Sequence, residues 1–279
     1  MVLKSYAKIN LSLSVNKKLK CGLHAIQSIF CMINLSDKIH IKKLINKNRD
    51  KTYFSGPCSK FISNTDNTIL KTLKIMRKLK LISNYYSIRV DKKIPVFAGL
   101  GGGTSNAAAV FKFLKKKKVD KITFNKIINY VGSDFRLFFH SHGYLKSLSE
   151  VVKISKKYKL YFLIIYPNIN CSTKEIYSSV KKFSSERVFT QNKLKNKISF
   201  IKYINSKNND LQLIVEKKYP IIKKLLQNII KEKGCYLSKM SGSGSACYGV
   251  FKNEKCSKAA LDSLRKKYPK FWFSIAKTI

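Results

Sequence analysis

The most informative stretch of this 279-residue chain reads Ala98-Gly99-Leu100-Gly101-Gly102-Gly103-Thr104-Ser105-Asn106-Ala107-Ala108-Ala109. Glycines at this density remove side-chain bulk and permit positive φ, so several backbone N–H groups can converge on one anion. Thr104, Ser105 and Asn106 are good N-terminal capping residues, and we predict a helix over residues 107–118 whose N-terminus faces a phosphate. The stretch has neither the Gly-Lys-[Ser/Thr] ending of a Walker A loop nor the Rossmann spacing. It therefore predicts a phosphate-binding loop of another type.

Two further segments carry candidate chemistry. A second glycine-rich stretch, over residues 240–249, precedes a predicted strand at residues 248–251, although alone such a stretch is more typical of a turn. Between the two glycine stretches, Gly132-Ser133-Asp134 precedes an apolar run at residues 135–139. Asp134 is a candidate catalytic residue because acidic residues are scarce in this chain, but an aspartate in this position is more often a cap.

The remaining periodicities predict both helices and strands. Alternation of apolar and polar residues predicts strands over residues 5–15 and 85–90, and apolar runs predict strands over 26–33, 39–45 and 160–166. Apolar residues at 69, 70, 73, 76 and 79 fit one face of an amphipathic helix over 68–81. The length suits one large or two modest domains with a real core.

The charge of the chain is extreme. There are 57 Lys+Arg against 14 Asp+Glu, for a net charge of +43, while 44% of residues are hydrophobic, which is too many for a disordered polycation. The charge invites a nucleic-acid hypothesis. However, the lysines are spread over the whole chain without an RRM, KH or zinc-finger signature, and A/T-biased codon usage would produce the same composition.

The cysteines and the apolar runs indicate the compartment. Seven cysteines, with no CxxC pair and no zinc spacing, argue against a disulfide framework and a structural metal. No apolar run approaches the length of a membrane span, and the N-terminus lacks a signal-peptide core. We expect a cytoplasmic protein with reduced thiols.

Taken in order, these motifs resemble the GHMP kinase superfamily over most of the chain. The segments that carry the resemblance are Ala7-Lys8-Ile9-Asn10-Leu11, Gly22-Leu23-His24, Asp66-Asn67, residues 93–109, Gly132-Ser133-Asp134, residues 167–177, Asn209-Asp210 and Ser241-Gly242-Ser243-Gly244. The glycine motif points to the superfamily. The Ala-Lys-Ile-Asn-Leu and Gly-x-His segments narrow the resemblance to kinases that act on a cytidine-diphosphate-linked methylerythritol.

The resemblance implies an α+β fold of two domains with the active site in the cleft between them. The N-terminal, ATP-binding domain would span residues 1–153, and the C-terminal GHMP kinase domain residues 154–279. The implied reaction is ATP-dependent phosphorylation of the C2 hydroxyl of 4-diphosphocytidyl-2-C-methyl-D-erythritol, in the non-mevalonate route to isoprenoid precursors, with Mg²⁺ as cofactor. The partner would be this small molecule, with no specific nucleic acid and no membrane, and the protein a monomer or homodimer.

The resemblance also implies individual roles. Asp134 matches the catalytic aspartate and Lys8 its partner lysine, while substrate contacts match Asn10, the cytosine-reading His24 and the stacking Tyr177. Ser105 is expected to contact Mg²⁺ carried by ATP. The expected ATP-binding residues are Pro95, Ala98, Gly99, Leu100, Gly101, Gly102, Gly103, Thr104, Ser105 and Asn67.

Several positions depart from the family pattern. Leu23 stands where these kinases usually carry a tyrosine, so one wall of the cytosine site loses its aromatic face. Stacking of a base on an aromatic side chain is worth about 1–3 kcal/mol, so we expect weaker substrate binding than in a Leu23→Tyr variant. The other departures are Phe97 for a small residue, Arg136 for a proline, and Ser147 and Ser149 for glycines.

Two alternatives stay open at this point. Another GHMP kinase, of the homoserine or mevalonate type, would share the glycine motif but would have no use for a cytosine-reading histidine. A basic RNA-binding protein would bind RNA tightly and with a steep salt dependence, and this binding would survive Asp134→Asn.

Overall fold

The computed structural model describes residues 2–186, 188–189 and 196–279. The strands are β1 (Val2–Asn10), β2 (Ser14–Lys18), β3 (His24–Leu44), β4 (Lys51–Ser55), β5 (Tyr85–Asp91), β6 (His142–Ser147), β7 (Glu150–Val152), β8 (Tyr161–Tyr166), β9 (Cys235–Met240), β10 (Cys247–Phe251) and β11 (Trp272–Lys277). The helices are α1 (Thr68–Lys78), α2 (Gly102–Leu114), α3 (Lys121–Val131), a 3₁₀ helix (Ser133–Phe139), α4 (Thr173–Ser178), α5 (Lys197–Asn205), α6 (Gln212–Lys218), α7 (Pro220–Lys231) and α8 (Glu254–Lys267). Among these described helices, none has the length and apolar character needed to cross a membrane.

The chain forms two compact units, each assembled from three pieces of sequence. The first unit contains the residues up to Ala7, then Ser36–Val96 and Gly101–His140. The second contains Lys8–Leu35, Phe97–Leu100 and the described residues from Ser141 onward. These units differ from the predicted linear division at residues 153/154, because β1 and β3 each run from one unit into the other.

The first unit combines strands with a helical layer. In it, β4 pairs in parallel with β5, and β5 pairs antiparallel with residues 38–44 of β3. Helix α1 packs against α2 and α3, and buries Ile69, Leu73 and Met76. The periodicity that predicted a helix over residues 68–81 is thus confirmed by α1, which ends three residues earlier, with Leu79 as its C-cap.

The second unit is built on an antiparallel sheet with the strand order β11-β8-β10-β9. Helix α7 packs on β9 and β10, and α8 packs on β8 and β11. Phe162, Leu163, Ile164 and Ile165 are all fully buried in β8, so the predicted buried strand at residues 160–166 is confirmed. Residues 28–31 of β3 pair with β6, whose neighbour is β7.

Three sequence predictions need correction. The strand predicted over residues 5–15 is two strands, β1 and β2, whereas the strands predicted at 26–33 and 39–45 are one continuous strand, β3. The helix predicted over residues 107–118 is α2, which begins earlier, at Gly102, and ends earlier, at Leu114. Its N-cap is Gly101, whose φ of 69° lies in the left-handed region that glycine tolerates, so Thr104, Ser105 and Asn106 lie inside the helix and do not cap it.

Candidate active site

The first part of the glycine motif, residues 98–100, belongs to the second unit and lies against the second glycine-rich stretch. Gly99 has a φ of 72°, and a Cβ atom there would lie 2.1 Å from the carbonyl oxygen of Ser241. The Ser241 hydroxyl donates to the Gly99 carbonyl at 3.1 Å, and Ala246 N donates to the Ala98 carbonyl at 3.2 Å. Only glycine fits this close approach. The second glycine stretch, which by its sequence alone favours a turn, therefore forms a close contact with the first glycine stretch.

Lys8 and Asn10 lie at the end of β1, where both are almost completely buried (4% and 3% exposed). The Lys8 ammonium donates to the Asn10 side-chain oxygen, and the Asn10 amide nitrogen donates to the Ser28 hydroxyl at 2.8 Å. A Cβ atom at Gly242 would lie 3.1 Å from Asn10 Oδ1 and 3.4 Å from Lys8 Nζ. We call Lys8, Asn10, Ser28, Gly99 and Gly242 the Lys8 cluster. It brings together three predicted site residues, Lys8, Asn10 and Gly99, and both glycine stretches.

Residues 101–105 lie in the first unit, where they form the start of α2. The N-cap residue Gly101 has no side chain that could cap the helix, so the first N–H groups of α2 keep hydrogen-bonding capacity for a ligand. Thr68 Oγ1 donates to the carbonyl of Gly103 at 2.8 Å. The neighbouring Asn67 caps α1 by accepting hydrogen bonds from Ile69 N and Leu70 N, both at 3.1 Å.

A buried ion pair supports the start of α2. The Lys92 ammonium and the Asp37 carboxylate contact each other with both side chains fully buried, and Lys92 also donates to Asn106 Oδ1 at 3.1 Å. The other Asp37 oxygen accepts hydrogen bonds from the backbone of Lys93 (2.8 Å) and Ile94 (2.9 Å). Breaking such a pair leaves an uncompensated buried charge, so this network fixes the segment that leads into Pro95 and the glycine motif.

Ser105 does not fit the predicted role of a Mg²⁺ ligand. The residue is 3% exposed. Its hydroxyl donates to the Tyr6 carbonyl at 2.6 Å and accepts a hydrogen bond from the Ser5 hydroxyl at 2.7 Å. The side chain is thus committed to strand β1 inside the first unit. Sequence reasoning missed this because the spacing does not reveal that Ser105 lies on the buried face of α2.

Asp134 is the second residue of the 3₁₀ helix in the first unit, and it is partly buried. Phe135 and Phe139 of this helix pack with Phe111 and Phe124, with ring centroids 4.8 to 6.2 Å apart. Arg136, which replaces a proline of the family pattern, donates to Asn125 Oδ1 at 2.7 Å. The aromatic packing and this bond hold the short helix, and with it Asp134, in a defined position.

Three aromatic rings meet at the beginning of β3 in the second unit. The His24 ring centroid lies 5.3 Å from that of Tyr177 on α4 and 6.3 Å from that of Phe183. Partial burial, and then the charge of Lys18 on the paired strand β2, lower the pKa of His24 below its ordinary value. Leu23 beside it is 49% exposed. We call His24, Tyr177 and Phe183 the aromatic cluster.

Sequence reasoning missed the residue that holds the second glycine stretch. The side-chain nitrogen of Asn209, which is buried, donates to the carbonyls of Met240 (2.9 Å) and Gly242 (2.8 Å). The position of Asn209 in the motif order was the available signal, but the sequence does not show which carbonyls it would meet. Asn209 is a positioning residue for one wall of the Lys8 cluster.

Comparison with known proteins identifies the family. Residues 67–136 match the family described as "GHMP kinases N terminal domain", and residues 193–270 match the family described as "GHMP kinases C terminal". A 4-diphosphocytidyl-2-C-methyl-D-erythritol kinase of Pelagibacter ubique (strain HTCC1062) is 39% identical, over 99% of this chain and 98% of that protein. The chain belongs to the 4-diphosphocytidyl-2-C-methyl-D-erythritol kinase family. A kinase of the same name from Wolbachia pipientis wMel is 33% identical, over 96% of this chain and 95% of that protein.

Solved structures agree with this GHMP kinase assignment at the level of the fold. The crystal structure of a 4-(cytidine 5'-diphospho)-2C-methyl-D-erythritol kinase matches with a TM-score of 0.76 and 22% identity, over 99% of both chains. A homoserine kinase from Cytophaga hutchinsonii matches with a TM-score of 0.68 and 15% identity, over 100% of this chain and 94% of that chain. The predicted α+β GHMP kinase fold class is confirmed.

Proposed function

We propose that this kinase transfers the γ-phosphoryl group of ATP to the C2 hydroxyl of 4-diphosphocytidyl-2-C-methyl-D-erythritol. The observation that carries the proposal is the 39% identity to a kinase of that name along essentially the whole of both chains. The homoserine kinase resembles this chain in fold at only 15% identity, so it lends no comparable support to a homoserine substrate. The aromatic cluster adds a site chemically suited to a nucleobase.

The ATP phosphates would be bound by backbone amides rather than by basic side chains. The uncapped start of α2 offers N–H groups and the positive end of the helix dipole, which together favour a phosphate. Gly101, with its φ of 69°, makes the sharp entry into the helix. Pro95, Ala98, Leu100 and Thr104 remain predicted contacts of the nucleotide, as does Asn67.

Asp134 and Lys8 would carry the chemistry. The Asp134 carboxylate would accept the proton of the C2 hydroxyl while that oxygen attacks the γ-phosphorus. The Lys8 ammonium would neutralise the charge that develops on the phosphoryl oxygens. Burial of Lys8 supports this role because electrostatic interactions are stronger where water is excluded. Asn10, which accepts a hydrogen bond from Lys8, would contact the substrate near the reacting hydroxyl.

Magnesium bound together with ATP would offset the negative charge of the phosphates. The hydroxyl of Ser105, the residue predicted to contact the ion, is bonded to Ser5 and Tyr6 and is not turned toward a ligand. We further propose that the enzyme acts in the cytoplasm, as a monomer or a homodimer, on a small-molecule substrate.

The test is a phosphate-transfer assay with ATP and 4-diphosphocytidyl-2-C-methyl-D-erythritol, in which the phosphorylated position of the product is determined. Homoserine and mevalonate serve as competing acceptors. We expect transfer to the C2 oxygen of the first substrate only, and a loss of about 10²–10⁴-fold in kcat for Asp134→Asn with an unchanged circular dichroism spectrum. Preferred transfer to homoserine or mevalonate would contradict the proposal, as would full activity of the Asp134→Asn variant.

A further inference from the structure

The aromatic cluster contains one ring to which the family resemblance gives no role, that of Phe183. We infer that Phe183 supplies the stacking surface for the substrate's base that Leu23 cannot provide. The inference rests on the proposed function, because it names a specificity residue for the same substrate. It concerns this chain in particular, since it arises from the replacement of a tyrosine by Leu23.

The placement of Phe183 is the first argument. Its ring lies 6.3 Å from His24 at an interplanar angle of 34°, and the ring of Tyr177 has nearly the same tilt to His24, 33°. Phe183 is also 46% exposed. A planar base whose edge reaches His24 therefore finds an accessible aromatic face next to it. Offset and tilted aromatic contacts of this kind are favourable beyond the area they bury.

The anchoring of the adjacent residue is the second argument. Ser184 N donates to the carbonyl of Val15 at 2.8 Å, and the Ser184 hydroxyl donates to Asp210 Oδ2 at the same distance. The side chain of Asn16 donates to the carbonyl of Ser184 at 3.0 Å. Three hydrogen bonds, two through its backbone and one through its hydroxyl, thus hold Ser184 next to Phe183, so little conformational freedom would be lost when a base binds.

The surroundings distinguish Phe183 from an ordinary exposed aromatic. Single exposed apolar side chains are normal on proteins, and Phe61, which is 60% exposed in the first unit, is an example in this chain. Phe183 differs because it contacts a histidine and shares it with a second ring. With its pKa lowered, His24 is neutral at pH 7 and presents one N–H donor and one nitrogen acceptor, which matches the edge of a pyrimidine.

The experiment compares Phe183→Ala and Phe183→Trp with a matched control, Phe61→Leu, in the full-length enzyme. The KM values for the cytidine-linked substrate and for ATP, kcat, and the Kd for CDP from calorimetry are measured for each protein. We expect Phe183→Ala to raise both the substrate KM and the CDP Kd about 5- to 150-fold, the range found for loss of a base–aromatic contact. The tryptophan variant and the control should bind like the wild type, with kcat and the KM for ATP unchanged.

A rescue variant separates stacking from general damage. Leu23→Tyr should restore binding in the Phe183→Ala background and improve it much less in the wild type, since the two rings would serve the same base. If Phe183→Ala leaves CDP binding within twofold of the wild type, the inference is wrong. If the wild type binds CDP but transfers no phosphate to the proposed acceptor, the proposed function fails while the effect of Phe183→Ala on CDP binding still decides the inference.

Discussion

The Lys8 cluster and the aromatic cluster both lie in the second unit, but they differ in almost every physical property. Lys8 and Asn10 are 4% and 3% exposed, and a Cβ atom at Gly242 would crowd both side chains. In the aromatic cluster Phe183 is 46% exposed, and Leu23, which precedes His24, is 49% exposed. A buried polar cluster has one workable arrangement, while an open apolar site can exchange one ring for another. We therefore expect a departure from the family pattern to be better tolerated at Leu23 than at Lys8 or Asn10.

Among changes to these two clusters, removal of the buried Lys8 ammonium should have the largest effect. Lys8→Met keeps the apolar length of the side chain but removes the charge proposed to act on the phosphoryl oxygens. We expect kcat to fall about 10²–10³-fold, the usual cost of deleting one preorganised electrostatic contact, while the KM for the cytidine-linked substrate changes little. Steady-state kinetics with both substrates measure this.

Lys4→Met is the matched control for this change, because Lys4 lies on the same strand and is exposed. It should leave kcat unchanged. If the Lys8→Met enzyme is folded and retains more than half of the wild-type kcat, the proposed role of Lys8 in phosphoryl transfer is wrong.

Two glycines with similar backbone angles separate the cost of close packing in the Lys8 cluster from the cost of a left-handed backbone. Gly99 (φ 72°) and Gly22 (φ 82°) are both left-handed. A Cβ at Gly99 would lie 2.1 Å from the Ser241 carbonyl oxygen, whereas no atom of the described residues lies within 4 Å of a Cβ at Gly22. Gly22→Ala should cost about 1–2 kcal/mol of unfolding free energy from backbone strain. Gly99→Ala should cost a further ~1–3 kcal/mol from the collision with Ser241, and should lower kcat as well. Urea unfolding curves that give equal losses for the two variants would contradict this account.

The smallest effect concerns the pH dependence of the aromatic cluster. Because burial and Lys18 lower the pKa of His24, the imidazole stays neutral at pH 7 and gains a proton only below its ordinary range. Protonation removes one hydrogen-bond acceptor, so the KM for the cytidine-linked substrate should be flat from pH 8 to pH 6.5 and then rise about 2- to 12-fold, the value of one hydrogen bond.

The same shift has a consequence for stability. A lowered pKa in the folded state means that the unfolded chain binds the proton more readily. The contribution of His24 to stability is therefore present above its ordinary pKa of 6.5 and is lost as the pH falls through 6.5 toward the folded pKa. A His24→Gln variant should show no acidic rise in KM. A rise of the same size in that variant would assign the effect to another group.

The sequence predicted those parts of the molecule that depend on local pattern. Periodicity found α1, β5 and the buried strand β8, and the motif order found the family. The start of α2 was misplaced because capping preference favours Thr104 to Asn106, whereas a left-handed Gly101 allowed the chain to enter the helix earlier. The continuity of β3 could not be seen because Asp37, which would normally interrupt an apolar strand, is compensated by Lys92 from far along the chain.

In the candidate site, too, some residues could be predicted from local motifs and others only from tertiary contacts. Lys8, Asn10 and His24 were predicted as site residues from short motifs, and the structure places the first two in direct contact. Phe183 lies in a stretch of lysines and serines that carries no motif, and only its tertiary neighbours make it visible. The inward orientation of Ser105 and the bonds made by Asn209 likewise depend on contacts between segments far apart in sequence.

The interleaved division of the chain constrains how it can be synthesised and dissected. All pieces of the first unit have been synthesised once residue 140 has emerged from the ribosome. In the second unit, residues 8–35 are synthesised early, but the strands that complete this unit are synthesised last. Domains usually fold as units in the order of their synthesis. Here the segment bearing Lys8 and His24 is translated early and packed late, so a gene cut once at any point would deliver at least one fragment without its full set of strands.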